Sequence, residues 1–241
     1  MESSEFTPYC ELPQCVQINF VHPSTFIISG PTGSGKTTFL IKLLTSGLLR
    51  DGETGELAGE RIVWFQGSDQ PKVRLTLMGN FGRRVEFHEG IKPEVIATLD
   101  PMEKNVVVVD DLMAEGQNSS ALADLMSKGS HHSNTSVFYL VQNLFEKGKK
   151  SGTITKNAHY LILFKNPRNA HEIRTLGTQL SSTGPGFSRA FYELFEHVTG
   201  KDAYSYLVLD FRPESPNILR YRSGVLPGEQ LCFYELTTGK V

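Results

Sequence analysis

A doubly wound α/β domain, with a mostly parallel sheet between layers of helix, is the fold class this sequence predicts. Three observations point to it. Short apolar runs alternate with helical patterns along most of the 241 residues, as expected when each strand is followed by a crossover helix. Several runs, Val106-Val107-Val108-Val109 above all, are apolar at every position and not at alternate ones, which fits strands covered on both faces. The length also suffices for a full core without staples, because a chain of this size removes roughly 70% or more of its unfolded surface from water.

Composition excludes other classes. Apolar residues make up 39% of the chain, charged residues 21%, and the formal net charge is −2, so the chain is not intrinsically disordered. No period of about 20–50 residues recurs, which argues against a solenoid or propeller. No apolar run approaches the roughly 18–20 residues of a membrane span. The first residues, MESSEFTPYCELPQC, are acidic and lack the basic-then-apolar pattern of a signal peptide, so an intracellular, non-secreted protein is expected. Cys10, Cys15 and Cys232 cannot all pair, and the gap between the first two fits no zinc module; free thiols in a reducing compartment are expected. A near-neutral surface does not attract nucleic acid as a whole, so a local face or an assembled ring would have to supply a positive field.

In chain order, strands are expected at 17–20, 25–29, 61–66, 85–88, 106–110, 137–142 and 160–164, where the apolar runs fall. Helical patterns follow several of them, at 36–45, 120–128, 154–158 and 170–180. Residues 47–60, 148–152 and 181–186 read as loops. An amphipathic helix at 189–199 precedes two β-rich runs, 206–211 and 219–222, separated by Arg-Pro-Glu-Ser-Pro-Asn; these read as a hairpin with a long turn. The whole is expected to be one domain over 1–241, with its core at about 17–180 and the C-terminal helix and hairpin at about 187–225.

The strongest local signal is Gly30-Pro31-Thr32-Gly33-Ser34-Gly35-Lys36-Thr37, which matches G-x-x-x-x-G-K-[ST] in full. An apolar strand, Phe26-Ile27-Ile28, precedes it, and Thr38 opens the helical stretch that follows. Gly33 and Gly35 let the backbone curl so that successive N–H groups point at phosphate oxygens, and the helix adds the positive end of its dipole. Lys36 would reach the β- and γ-phosphates, and the Thr37 hydroxyl would ligate Mg2+. The expected fold thus becomes a three-layer P-loop NTPase with a central mostly parallel sheet and a C-terminal β-hairpin, binding ATP and Mg2+ through residues 30–38.

Two further strands end in polar groups. Val106–Val109 run into Asp110 and Asp111. In P-loop proteins a strand beside the loop ends in an Asp that helps hold Mg2+, and Asp110 takes that role. Asp111 then occupies the place of a carboxylate that polarises the attacking water. Glu is commoner there, and Asp is one methylene shorter; the alternative is that the pair caps the next helix. Val137-Phe138-Tyr139-Leu140-Val141 runs into Gln142 and Asn143. C-terminal strand ends face the nucleotide in open α/β sheets, so Gln142 can hydrogen-bond the γ-phosphate or the water. The alternative is that both amides simply begin a loop.

This order of P-loop, Asp-Asp strand, helix, Gln-tipped strand and the further strand Tyr160-Leu161-Ile162-Leu163-Phe164 resembles the FtsK–HerA superfamily of DNA-pumping ATPases. Within it, the small size and the segments Lys128-Gly129-Ser130-His131-His132 and Lys165-Asn166-Pro167-Arg168 resemble viral genome-packaging ATPases, of the poxvirus type found in large DNA viruses, virophages and Polinton- or adinto-like elements. The resemblance covers about residues 20–225. It implies a homo-oligomeric ring that hydrolyses ATP to move double-stranded DNA into a capsid, docked on a capsid or portal-like protein, inside the host nucleus or cytoplasm during virion assembly.

Ring ATPases complete their sites with a cation from the neighbouring subunit, where Arg matches phosphate bidentately. Arg168 and then Lys128 are the candidates, with Arg83 and Arg84 a third option; Ser133 stands where the family pattern places an Arg. A solvated surface cation is the alternative for each. Lys147, Lys149 and Lys150 form a basic, glycine-flanked loop that either faces a DNA backbone in a pore or is a solvated turn. His131 and His132 lack zinc-ligand spacing and suit a structural or interface role, and Trp64 suits the core. The competing readings are a P-loop nucleotide or nucleoside kinase and a non-catalytic nucleotide-dependent scaffold.

Overall fold

The computed structural model describes residues 6–11, 18–129, 132–145, 151–168, 170–181 and 185–236. Its centre is a six-stranded parallel sheet made of β3 (Thr25–Ser29), β5 (Arg61–Gln66), β6 (Val85–Glu89), β7 (Asn105–Asp110), β8 (Thr135–Val141) and β9 (Tyr160–Phe164). These lie side by side in the order β9-β3-β8-β7-β5-β6. Burial explains why their sequences do not alternate: every residue of β3, β7, β8 and β9 is buried, because helices cover both faces.

Neighbouring residues of each strand feed opposite cores. Phe26, Ile28, Val106 and Val108 pack on one face with Phe39, Leu40 and Leu43 of α1 (Lys36–Thr45) and Leu77 of α2 (Pro71–Phe81). Ile27, Val107 and Val109 pack on the other with Leu122 of α5 (Ser120–Asp124), Ile154 of α6 (Ser151–Lys156), Ile173 and Leu176 of α7 (Ala170–Leu180) and Phe191, Leu194 and Val198 of α8 (Pro185–Thr199). The i, i+3/i+4/i+7 spacing along α8 is what an amphipathic helix on a sheet requires. Two one-turn helices, α3 (Pro93–Ile96) and α4 (Met113–Gly116), complete the α-helical set among the described residues. None of the helices is long and apolar enough to cross a membrane.

Beyond β9 the sheet turns antiparallel. β10 (Tyr206–Asp210) pairs with β9 along its whole length, and β11 (Tyr221–Ser223) returns beside it through Val208↔Arg222 and Leu209↔Tyr221. This is the expected C-terminal hairpin, built into the main sheet. β12 (Cys232–Leu236) and β1 (Phe6–Glu11) then extend it to ten strands. Asp210 anchors the hairpin: it is fully buried, and its Oδ2 accepts hydrogen bonds from Arg212 Nη2 at 3.0 Å, Ser215 Oγ at 3.0 Å and Arg222 Nη1 at 3.1 Å.

Several boundaries differ from expectation. The strand expected at 17–20 is β2 (Phe20–His22), and it pairs with β4 (Leu49–Asp51) in a separate two-stranded sheet, so part of the segment read as a loop at 47–60 is a strand. The helix expected over 120–128 stops at Asp124 and continues as a π-helical turn, Leu125–Gly129. Helix α2 was hidden because it buries only Leu77, which leaves almost no apolar periodicity to read.

Candidate functional site

Parallel register collects the polar strand ends at one edge. Ser29 of β3 pairs with Val141 of β8, Val109 of β7 pairs with Tyr139, and Gln66 of β5 pairs with Asp110. The segments after β3, β7 and β8 therefore leave the sheet together. One feature departs from expectation: the strand ending in Asp110 does not lie beside the P-loop strand, because β8 is inserted between them. The insertion places Gln142 between the phosphate loop and the acidic pair.

The loop after β3 is fixed by backbone geometry. Gly30 N–H donates to the Val141 carbonyl at 3.1 Å and Ser34 N–H to the Pro31 carbonyl at 3.2 Å, which pins both ends of the curl. Gly33 and Gly35 have φ of +80° and +99°, a region L side chains rarely adopt. A Cβ on Gly30 would lie 2.7 Å from Phe164 Cβ and Ser34 Oγ, so glycine is required there by contact. Gly35 is also the N-cap of α1, without a side-chain cap, and leaves the first helical N–H groups available to an anion. The Lys36 ammonium donates to the carbonyls of Gly30 at 2.6 Å and Pro31 at 3.0 Å. Burial pulls its pKa below the ordinary lysine value, opposed by the charges of Asp110 and Asp111.

Thr37 faces Asp110 across the cleft, its hydroxyl donating to Oδ2 at 3.2 Å. Asp110 is 4% exposed. Burial raises its pKa, against hydrogen bonds from Gln70 and Thr37 and the charge of Lys36. Gln70 Nε2 donates to the same oxygen at 3.2 Å. Gln70 and Ser68, which no sequence motif marks, reach the site through the pairing of β5 with β7. Asp111 is exposed and has φ of +56°, a strained backbone for a non-glycine residue of the kind that gathers at functional sites. Its carbonyl lies 2.4 Å from where a Cβ on Gly67 would be, so the strained turn also requires glycine just after the end of the neighbouring strand β5.

A cleft of about 300 Å³ is lined by Thr32, Gly33, Lys36, Thr37, Ser68, Gln70, Asp110, Asp111, Met113 and Gln142, among others. The backbone N–H of Gln142 donates to Met113 Sδ at 3.0 Å, and the Tyr139 hydroxyl donates to the Met113 carbonyl at 3.2 Å. The tip of β8 is thereby tied to the segment just after Asp111. Thr37 and Asp110 offer converging hard oxygens, the donor set that suits Mg2+.

The remaining candidates lie elsewhere. Arg168 follows β9, so it is on the same sheet edge, but it is exposed and does not line the cleft. Lys128 falls in the π-helical turn and its side chain is outside the described residues. Arg83 and Arg84 precede β6, at the opposite edge of the sheet. Lys147, Lys149, Lys150 and His131 lie outside the described residues, and His132 is exposed. Trp64 is fully buried in the core. Among the described residues no group of three or more His, Cys, Asp or Glu could hold a metal ion.

No protein-family model and no curated protein matches this chain. Solved structures do. The DNA-packaging ATPase B204 from Sulfolobus turreted icosahedral virus gives a TM-score of 0.50 at 11% identity, over 79% of this chain and 93% of that one. The genome-packaging NTPase B204 from Sulfolobus turreted icosahedral virus 2, in complex with ATP-gammaS, gives 0.49 at 11% identity, over 80% and 95%. The KaiC-like protein PH0186 from Pyrococcus horikoshii gives 0.42 at 12% identity, over 88% and 90%. What the chain shares with the first is its fold, the α/β core of a P-loop NTPase.

Proposed function

We propose that the chain is a Mg2+-dependent ATPase whose hydrolysis cycle drives double-stranded DNA, as in the packaging of a viral genome into a capsid. The observation that carries the ATPase reading is the single cleft in which Lys36, Thr37, Asp110, Asp111 and Gln142 meet. The P-loop N–H groups and Lys36 would hold the β- and γ-phosphates. Thr37 and Asp110 would hold Mg2+, which when bound neutralises charge developing on the transferring phosphoryl group. Asp111 accepts a proton from the water that attacks the γ-phosphorus, and ADP leaves. Gln142 orients that water or the γ-phosphate. Because the tip of β8 is tied to Met113, a change at the γ-phosphate reaches both segments together.

The two carboxylates separate by experiment. Asp110→Ala should abolish Mg2+-dependent nucleotide binding, while Asp111→Asn should leave binding nearly intact and lower turnover on the order of a hundredfold, the usual worth of a general base. Binding isotherms beside steady-state phosphate release test this, and equal losses of binding would mean the roles are misassigned.

The DNA-motor reading is supported by the resemblance to packaging ATPases and by the fold shared with one of them. It implies a ring in which a neighbour, through Arg168 or Lys128, completes each site, and in which repeated copies of Lys147, Lys149 and Lys150 concentrate positive charge around a pore that one near-neutral subunit lacks. Specific ATPase activity should then rise several-fold with protein concentration, and again with double-stranded DNA, since a cation supplied in trans accelerates phosphoryl transfer. A titration of phosphate release against subunit concentration, with and without DNA, decides it. A flat line at maximal activity, down to concentrations where the protein is monomeric, favours the kinase or scaffold reading.

A further inference from the structure

A second, larger cleft of about 550 Å³ opens on the other side of the phosphate loop. It shares Gly33, Lys36 and Thr37 with the acidic cleft, so the two cavities meet across the loop. A triphosphate lying on the loop with its γ end toward Asp110 and Asp111 would have the second cleft open to its nucleoside end. That cleft combines the two things such a ligand needs, an aromatic and apolar wall (Phe39, Phe164, Tyr206, Leu226) and polar groups beside it. Its floor is a cluster of three packed rings: Phe39 and Tyr206 lie 4.7 Å apart between centroids, Phe39 and Phe164 6.1 Å, and Phe164 and Tyr206 5.6 Å. The Tyr206 hydroxyl donates to Glu229 at the rim and accepts from Val225 N–H at 3.0 Å, which locks that wall.

Tyr204 is the exception in this wall. It is 65% exposed, unusual for so large a ring, and it lies directly against the phosphate loop, with Cδ1 3.2 Å from where a Cβ on Gly35 would be. Its backbone is held by a hydrogen bond from Tyr204 N–H to Asp202 Oδ1 at 2.7 Å. An aromatic side chain beside the loop, on a backbone held in place and open to the cleft, is a platform for a nucleobase, whose π-face stacks on aromatic side chains.

We propose that this cleft binds the nucleoside of the triphosphate and that the base stacks on Tyr204. The inference rests on the nucleotide-binding reading of the P-loop. It is tested on the full chain with two ligands, ATP-gammaS and inorganic tripolyphosphate, each with Mg2+, by calorimetric titration. Tyr204→Ala should weaken ATP-gammaS roughly ten- to a hundredfold, the usual loss when a stacking aromatic is removed, and leave tripolyphosphate within about twofold. Tyr204→Phe, which keeps the ring, should bind both ligands like the wild type. Lys36→Ala should weaken both. Equal loss of the two ligands in Tyr204→Ala would make Tyr204 a support for the loop and overturn the proposal, as would an unchanged affinity for ATP-gammaS. If the wild-type chain bound tripolyphosphate and ATP-gammaS equally well, the loop would stand and the nucleoside cleft would fall. A wild-type chain that binds neither overturns both.

Discussion

Replacing Lys36 with Ala should lower ATP hydrolysis by roughly a thousandfold, the upper end of the loss for one donor aimed at developing charge. The ammonium sits within the curl of the loop, bonded to the carbonyls of Gly30 and Pro31, and is the one positive side chain among the described residues that line the acidic cleft. Its removal would leave the carboxylates of Asp110 and Asp111 facing a polyanionic phosphate chain with no compensating charge, so nucleotide binding should weaken as well. Lys36→Arg is no rescue, since a planar fork does not fit a place made for a compact point charge. Both losses appear in phosphate release and in a binding isotherm. The fold should survive, because the loop is held by backbone hydrogen bonds that the substitution leaves in place. Hydrolysis within a few-fold of wild type would sink the assignment of the loop.

Asp210→Asn should destabilise the protein by about 3–5 kcal/mol, the usual cost of breaking a buried ion pair from one side. Asp210 is 0% exposed and its partner Arg222 is 1% exposed. Among the described residues the Nε and Nη2 groups of Arg222 have no hydrogen-bond partner, so Asp210 and the Leu219 carbonyl, which accepts from Nη1 at 2.6 Å, carry the guanidinium. The rings of Phe20 and Tyr160 lie beneath it at 5.4 and 5.8 Å. Without the carboxylate this cation is buried with the Leu219 carbonyl and aromatic faces as its neighbours and no opposite charge at position 210. Burial by itself would push the Asp210 carboxyl up; the Arg212 and Arg222 guanidiniums more than reverse that and hold it below the ordinary aspartate value. The sign follows: the ionised carboxylate stabilises the fold fully above the unfolded value of about 4 and loses that contribution as pH falls through the lower folded value. Denaturant melts at neutral pH and in acid should show the wild type losing stability below about pH 4 by more than Asp210→Asn does. A neutral-pH loss under about 1 kcal/mol, the size of an exposed pair, would mean that Arg222 relaxes to solvent.

The sequence by itself determined the elements whose signal is local. Phosphate recognition needs glycines, a lysine and a hydroxyl at fixed spacing on a strand–loop–helix, and that pattern is contiguous in residues 30–38. Strands covered on both faces are apolar throughout, so β3, β5 and β9 fall where the apolar runs lie, and α1 and α7 show in full. The hairpin of β10 and β11 was legible from two β-rich runs around a proline-containing turn. Only the tertiary structure decided the rest, because it depends on which strands become neighbours. The insertion of β8 between β3 and β7 puts Gln142 beside the phosphate loop. The pairing of β5 with β7 delivers Gln70 to Asp110. β10, far along the chain, sets Tyr204 on Gly35 through the loop that precedes it. Helix α2 escaped the sequence because it buries a single residue and so carries no apolar stripe. Spacing along a chain encodes contacts within one turn or loop, whereas contacts between distant segments are fixed by sheet order, which burial and crossover geometry select after the chain collapses.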